Sequence, residues 1–300
     1  MTTPERPTRT RIYLLLVLTT FFWGGSFLFS KIGLREIPPQ LFVFVRFTLA
    51  TLIMLVLFGR RLKTLNRSIV RRGAIVGLML GLTNITFVFG VRDTSISRAG
   101  ILNNLFVLCI PLITKIVWKD HIGRVNMAGI ALASVGIWQL ATSGGAGFNR
   151  GDLVSTVCAF FIACHIITVS KVLKNDDVYL ISLVQFATVA VMAGITVMLF
   201  PPTFTATVSV PAMLSLLYCA IFPTVICFTL QNSFQRYVTP TRAGLVYTLD
   251  PVWSLIAGFM FLGERLNPQE WFGCLLIFLA VLLPLVVRYI GESRSGNRAV

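Results

Sequence analysis

Runs of about twenty apolar residues, each long enough to carry a helix across the roughly 30 Å hydrocarbon core of a bilayer, recur from one end of this chain to the other. Inside a bilayer the backbone has no water to bond to, so such segments must satisfy their own N–H and C=O groups as helices. The composition fits that solvent. Of the 300 residues, 56% are hydrophobic and 12% charged, where a soluble domain carries about 25% charged residues. The first run, "IYLLLVLTTFFWGGSFLFS", is longer than the roughly 7–15-residue core of a signal peptide and no small-residue cleavage site ends it, so it reads as a retained helix.

Scanning for these runs predicts an all-α integral membrane protein with ten transmembrane helices, near 12–31, 39–58, 73–91, 97–118, 125–142, 152–172, 178–200, 211–235, 241–262 and 269–290. The breaks are turn material: "REIPPQ", "GRRLKTLNRSIVRR", "TSGGAGFNRGD" and "FPPTFTATVSVP". With the N-terminus inside, 19 Lys and Arg fall on inner tails and loops and six on outer loops, while acidic residues split five and five. The positive-inside rule therefore puts both termini in the cytoplasm. This placement also accounts for the net charge of +15 without nucleic acid, for which no motif is present. The six cysteines lie in apolar spans without a C-x-x-C pair, so they read as small packing residues, and neither a metal nor a cofactor is expected.

The chain also repeats. Arg92, Arg98-Ala99-Gly100, Leu105, Gly129 and Leu132 recur 144 residues on as Arg236, Arg242-Ala243-Gly244, Leu249, Gly273 and Leu276, and Asp120 pairs with Glu264. Earlier in each half, "VRFT" (45–48) matches "VQFAT" (184–188) and Ser30-Lys31 matches Ser170-Lys171, at offsets of 139 and 140. An odd number of spans per half inserts the second upside down. The expected organisation is a five-helix repeat over 1–142, a linker over 143–151, an inverted five-helix repeat over 152–290 and a cytoplasmic tail over 291–300. Inverted repeats are typical of secondary transporters that bind substrate near mid-membrane where the halves meet.

Two stretches resemble a known family. "FFWGGSFLFSKIGLREIPPQLFVFVRFTLATLIML" (21–55) is similar to the opening of EamA-type proteins of the drug/metabolite transporter superfamily, with Trp-Gly-small, a proline pair and Arg-Phe. "LVYTLDPVWSLIAGFMFLGERLNPQEWFGCLLIFLAV" (245–281) resembles that family's last two helices. "PLITKIVWKDHIG" (111–123) departs from it, with Lys-Asp-His in place of Gly-Glu-Arg. The resemblance implies a ten-helix carrier in the bacterial inner membrane exporting small metabolites from a cavity between the halves. The overall likeness is greatest to bacterial exporters of aromatic and other neutral amino acids, with drug-like cations or other metabolites as the alternative cargo. A monomer can enclose such a cavity by itself.

Candidate site residues follow from the polar and aromatic positions on those spans. Asp250-Pro251 interrupts an otherwise apolar run, where an ionised carboxylate is costly and faces protein or water. Two compatible readings remain: Asp250 caps the helix that restarts at the proline, and it lines the cavity and holds an ammonium or a proton. Pro111 is the comparable break expected in the fourth span. Asn84, Asn103 and His165 are intramembrane polar candidates, alongside Asn104, Gln231 and Asn232, and Arg46 stands mid-span opposite Gln185 of the other half. Trp23, Phe87, Phe106, Phe161, Phe228, Tyr247 and Trp253 supply an apolar lining suited to a small ligand. An enzyme is disfavoured because neither H-E-x-x-H nor G-x-S-x-G occurs. A channel would need a continuous polar path, and the polar positions are too scattered for one. If Asp250 lines the cavity, Asp250→Asn lowers transport while leaving the protein folded. Transport by wild type and variant that is equal at every pH would refute that role.

Overall fold

The computed structural model describes residues 8–118, 124–142, 147–173, 176–203 and 207–296. They form thirteen α-helices: α1 (Arg9–Gly33), α2 (Pro39–Phe58), α3 (Arg67–Asp93), α4 (Ile96–Asn103), α5 (Phe106–Trp118), α6 (Arg124–Thr142), α7 (Arg150–Val172), α8 (Val178–Leu199), α9 (Val210–Cys219), α10 (Cys227–Phe234), α11 (Pro240–Tyr247), α12 (Asp250–Leu262) and α13 (Pro268–Gly296). Among the described residues, seven helical runs are long and apolar enough to span a membrane: Thr10–Gly33, Pro39–Thr64, Arg67–Asp93, Ile96–Val117, Arg150–Val172, Val178–Leu199 and Val210–Tyr237. Shorter apolar helices lie at Met127–Gly136, Asp250–Leu262 and Trp271–Ala280. Leu14, Val56, Ile116, Met198 and Phe259 point outward, as a lipid-facing surface requires. This is a multi-pass membrane protein.

Local chemistry sets several helix ends. Pro38 and Pro39 stand at the start of α2, where a missing N–H and a fixed φ cost nothing. Asn66 Oδ1 accepts the Ile69 N–H at 3.0 Å, so α3 begins at Arg67, six residues before the apolar run. The basic stretch expected to be loop is thus helix beyond that cap. The cytoplasmic tail expected after 290 is shortened in the same way, because α13 runs on to Gly296. On α7, Asn149 and Asp152 form a reciprocal capping box. The expected linker therefore ends at Asn149, and its residues 143–146 lie outside the described residues, as do Asp120 and His121.

Two helices break at matching places. The fourth span is interrupted at Asn104-Leu105 and the one starting at Pro240 at Thr248-Leu249, each pair 144 residues apart. The flanking pieces match in length, eight residues for α4 and α11 and thirteen for α5 and α12. Pro111 is not the break that was expected. The chain has already turned at Asn104-Leu105 and restarted at Phe106, so Pro111 sits inside α5 and the helix continues through it. It forfeits only the bond that its N–H would have made.

Packing then gathers the rods around the breaks. α3 runs along α7 and α8, α2 along α8, and α6 along α13, while α1 crosses α9, α10, α11 and α12. Two apolar clusters result, one built on α2, α3 and α8 and the other on α5, α7 and α13. Trp23 and Ile162 pack against both.

A buried ion pair ties α4 to α7. Asp152 accepts from Arg98 at 2.6 Å, from the Thr94 hydroxyl at 2.6 Å and from the Asn149 N–H at 3.1 Å, and its side chain is fully buried. At another surface Glu36, in the turn after α1, accepts from Ser209 Oγ at 2.6 Å and Ser209 N at 2.7 Å. The hydroxyl and then the N–H hold this exposed carboxyl below its ordinary range, so the contact is kept above that range and lost as pH falls through the lowered value. Removing one partner from a buried pair strands the other, at about 3–5 kcal/mol. Asp152→Ala should accordingly lower the thermal unfolding midpoint in detergent far more than Glu36→Ala, and comparable midpoints would show that the α4–α7 tie is not limiting.

Candidate functional site

A cavity of about 100 Å³ lies where the broken helices meet. At roughly 10–15 Å³ per water it has room for several waters or a small solute. α1 contributes Trp23, Ser26 and Phe27; α3 contributes Leu80, Thr83, Asn84 and Phe87; and α7 contributes Ile162, His165 and Ile166. The two breaks supply Gly100, Asn103, Asn104 and Phe106 from the first half, and Tyr247 and Asp250 from the second. Arg46 on α2 and Phe228 and Gln231 on α10 complete the lining. Most of the wall is apolar.

The aromatic part is a cluster around Trp23 and Phe228 with a separate Phe27–Phe87 pair. Trp23 meets Tyr247 edge-on at 5.1 Å and Phe228 at 5.4 Å, Phe27 meets Phe87 at 4.9 Å, and the His165 ring stands at 88° to Phe228 at 5.8 Å. Such offset and edge-on contacts are the favoured geometry for rings. Trp23 is further oriented by its indole N–H, which donates to Pro223 O at 3.1 Å. That carbonyl lies in the π-helical turn Ala220–Ile226 between α9 and α10, a wider turn than the α-helix allows.

The polar part is organised by the same turn. Arg46 Nε donates to Cys219 O at 3.1 Å and to Thr224 Oγ1 at 2.7 Å. Its two terminal guanidinium nitrogens have no hydrogen-bond partner among the described residues, the guanidinium carbon lies 5.4 Å from the centroid of the Phe47 ring, and no carboxylate there pairs with it. Arg46 is 2% exposed, so it does not reach toward headgroups. Gln185, its counterpart in the other half, donates from Nε2 to His165 Nε2 at 3.3 Å and accepts from Asn232 Nδ2 at 2.6 Å. Nearby, Tyr247 and Gln231 both donate to Gln235 Oε1, at 3.1 and 2.7 Å.

Asp250 does not cap the restarted helix. Leu249 occupies the cap position without a side-chain bond, Asp250 is the first residue of α12, and Pro251 follows it. The Asp250 Oδ1 atom is buried and has no hydrogen-bond partner among the described residues. Asp250 is among the residues that line the cavity.

Trp23, Asn84, Phe87, Asn103, Phe106, His165, Phe228, Tyr247 and Asp250 come together on this wall, whereas Phe161 and Trp253 do not. On α7 the inward face is 162, 165 and 166, and Phe161 is turned away against Phe160. Trp253 donates to Thr20 Oγ1 at 3.2 Å and packs edge-on to Phe21, on the far side of α1. Ser26, Phe27, Leu80, Thr83, Ile162 and Ile166 carry no chemistry that sequence reading would flag. Stepping three and four residues from Trp23, Asn84 and His165 along one helix face reaches most of them.

The cavity's closure is also visible. Glu264, in the turn after α12, accepts from Ile96 N at 2.8 Å, Ser97 N at 3.0 Å and Ser97 Oγ at 2.7 Å, capping α4 of the other half. Lys31 Nζ donates to the carbonyls of Val91, Arg92 and Thr94 at 2.8, 2.9 and 2.6 Å, closing the end of α3. At the opposite end of the bundle, Arg72 binds Asp176 through 2.7 and 2.9 Å bonds and Arg61 binds Asp177 at 2.8 Å.

The sequence profile of the EamA-like transporter family matches residues 10–142 and again residues 149–286, which together span nearly the whole chain. The chain belongs to this family. An uncharacterized transporter of Archaeoglobus fulgidus is 31% identical over 275 residues, covering 89% of this chain and 83% of that one. The uncharacterized inner membrane transporter YedA of Escherichia coli is 24% identical over 281 residues, covering 91% of this chain and 90% of that one. A probable amino-acid metabolite efflux pump of Escherichia coli is 21% identical over 285 residues, covering 90% and 93%. A crystal structure at 18% identity superposes with a TM-score of 0.65 over 94% of this chain and 99% of that one, which establishes the shared fold. The chain is accordingly a membrane transporter of the EamA-like family.

Close approach at the breaks rests on two glycines. A Cβ at Gly100 would collide with the Ser254 side chain, whose Cβ would lie at 2.9 Å, and meet Pro251 Cα at 3.4 Å, whereas a Cβ at Gly244 would meet the tip of Ile110 at 3.1 Å. Backbone-anchored neighbours cannot yield as a side-chain tip can, and overpacking costs about 1–3 kcal/mol. Gly100→Ala should therefore reduce both thermal stability in detergent and transport more than Gly244→Ala does. The reverse order would show that α4 and α12 do not set the cavity's width.

Proposed function

We propose that this transporter exports neutral amino acids, aromatic ones included, across the bacterial inner membrane by alternating access. The observation that carries the reading is a guanidinium and a carboxyl group, not paired with each other, in one mostly apolar cavity. Arg46 offers two guanidinium nitrogens without protein partners, and Asp250 offers a carboxylate oxygen without a donor. A planar guanidinium fork suits a substrate carboxylate, and a carboxylate suits an α-ammonium. Trp23, Phe228 and the rings around them then cover the side chain.

The alternatives fit this wall less well. A drug-like cation would use Asp250 and leave Arg46 buried against an unmatched positive charge. A sugar phosphate would call for several basic residues, and among the described residues Arg46 is the one Lys or Arg on the wall. The name of the Escherichia coli efflux pump lends support to amino-acid metabolites as cargo. YedA's inner-membrane name supports the location.

The architecture belongs to the same proposal. Ten crossings in two inverted halves result if α4–α5, α9–α10 and α11–α12 each make one interrupted crossing and α6 and α13 add one each. The twofold match of the family profile and the identical lengths of the broken helices support it. The halves would rock about the fixed cavity, alternately releasing the Glu264 cap on one face and the Arg72–Asp176 pair on the other.

The test is counterflow of labelled phenylalanine into liposomes holding the purified protein and excess internal amino acid. Hydrogen bonds to a charged group are worth about 1.5–3 kcal/mol, or roughly ten- to a hundredfold in affinity. Arg46→Gln, which installs the residue the other half carries, should raise the half-saturation for phenylalanine by that factor while sparing competition by phenethylamine, which lacks the carboxylate. Equal loss for both ligands would mean that Arg46 serves only to hold the π-helical turn.

A further inference from the structure

One end of the bundle carries a basic stretch that transport through the central cavity does not use. No Asp or Glu lies between Glu36 and Asp93, yet six cations fall within residues 60–72: Arg60, Arg61, Lys63, Arg67, Arg71 and Arg72. Two of them are spent on the protein. Arg61 pairs with Asp177 and lies 4.8 Å from the centroid of the Tyr179 ring, and Arg72 pairs with Asp176. Arg60, Lys63, Arg67 and Arg71 are exposed, and their side chains make no hydrogen bond or ion pair among the described residues.

Local structure orders these four. α2 ends at Phe58, whose ring stacks on Tyr179 at 4.1 Å, and the 3₁₀ helix Gly59–Thr64 follows before Asn66 caps α3. At three residues per turn, Arg60 and Lys63 share one face of the 3₁₀ helix. Arg67 and Arg71 are four apart on the first turns of α3 and share another face. Leu62, Leu65 and Val70 are exposed between these cations. The stretch joins the ends of two helical runs of membrane length, which sets it at the level of lipid headgroups. There the apolar side chains enter the acyl boundary while the cations stay among the phosphates. The positive-inside bias accounts for the sign of the charge. It does not require four unpaired cations interleaved with leucines on an ordered segment.

We propose that residues 60–71 form a docking surface for anionic phospholipid of the cytoplasmic leaflet. Arg60, Lys63, Arg67 and Arg71 hold the headgroup phosphates, and Leu62, Leu65 and Val70 rest in the acyl boundary. A cluster of four to eight cations beside a membrane helix attracts lipids of net negative charge. A zwitterionic headgroup carries its own ammonium, which cancels the attraction. Arg61 and Arg72 of the same segment grip the Asp176–Asp177 loop, so a bound lipid anchors the segment that this loop is tied to.

The test titrates the purified full-length protein, in neutral detergent micelles, with fluorescent phosphatidylglycerol or phosphatidylcholine at low and high salt. Wild type should bind phosphatidylglycerol at least about tenfold more tightly at low salt, and the preference should shrink as salt screens it. The fourfold variant Arg60→Gln, Lys63→Gln, Arg67→Gln and Arg71→Gln should lose the preference. The control variant Arg35→Gln, Arg150→Gln and Arg265→Gln, which removes exposed charge at the other end of the bundle, should keep it. Equal binding of the two lipids by wild type, a preference that survives in the fourfold variant, or equal loss in both variants would overturn the proposal. Inorganic phosphate that displaces the lipid at matched ionic strength would overturn it in favour of a free-phosphate site. Should the fourfold variant fail to fold, the four single variants decide: each should weaken phosphatidylglycerol binding roughly fivefold, and no weakening in any of them would refute the surface.

Discussion

A bilayer supplies no hydrogen bonds, and an interrupted helix at membrane depth must find them within the protein. Both interrupted helices of this transporter, α4–α5 and α11–α12, break 144 residues apart in the chain and next to the same cavity. The rest of the arrangement depends on this. α1 threads between the breaks and brings Trp23 to the cavity, Gly100 lets α12 lie against α4, and the amides of Asn103 and Asn104 gather where the first helix stops. The breaks place irregular backbone beside the cavity where other helices enclose it, as a bilayer requires.

The second organising element is the π-helical turn at Ala220–Ile226. One extra residue in the turn brings Cys219 O and Thr224 Oγ1 to Arg46 and Pro223 O to Trp23. A guanidinium held by one nitrogen keeps its orientation and leaves its fork open, without snorkelling or collapsing onto a neighbouring carboxylate. Keeping a buried cation without a counter-ion is expensive, so the turn and Arg46 make physical sense as a pair aimed at an anion that arrives from elsewhere. Across the pseudo-repeat Gln185 does the neutral counterpart of this work, bonding His165 and Asn232 within the protein. On the proposed function, this difference between matching positions gives the cavity one direction for a dipolar solute.

Closure is spread over both faces and made largely between halves. Glu264 caps a helix of the opposite half, as does Glu36 through Ser209, while Arg72 and Arg61 hold the loop that contains Asp176 and Asp177. These contacts use charges at helix ends and loops, where water competes, so each is worth far less than the buried Arg98–Asp152 pair. Weak latches at the rims around a firmly packed interior are what the proposed rocking of the two halves would require. The firmness is visible in the tight run of α3 along α7 and α8.

The sequence by itself determined the solvent, the helices, the family and the depth of the polar positions, because apolar run length, loop charge and a 144-residue echo are properties of a line. It also singled out Asp250, since a carboxylate before a proline in an apolar segment is conspicuous in one dimension. It could not say which side of a helix faces inward. Phe161 and Trp253 carry the same chemistry as Phe228 and Trp23, and only packing turned the first two away and the second two toward the cavity. It misplaced the fourth-span break at Pro111, because a turn made by Asn104-Leu105 leaves a proline acceptable inside the new helix. What tertiary structure alone decided was the hydrogen-bond ledger: that Arg46 spends one nitrogen and withholds two, and that Tyr247 and Gln231 both donate to one oxygen of Gln235. Such facts depend on where residues from five or more helices stop in three dimensions, and no neighbour along the chain encodes them.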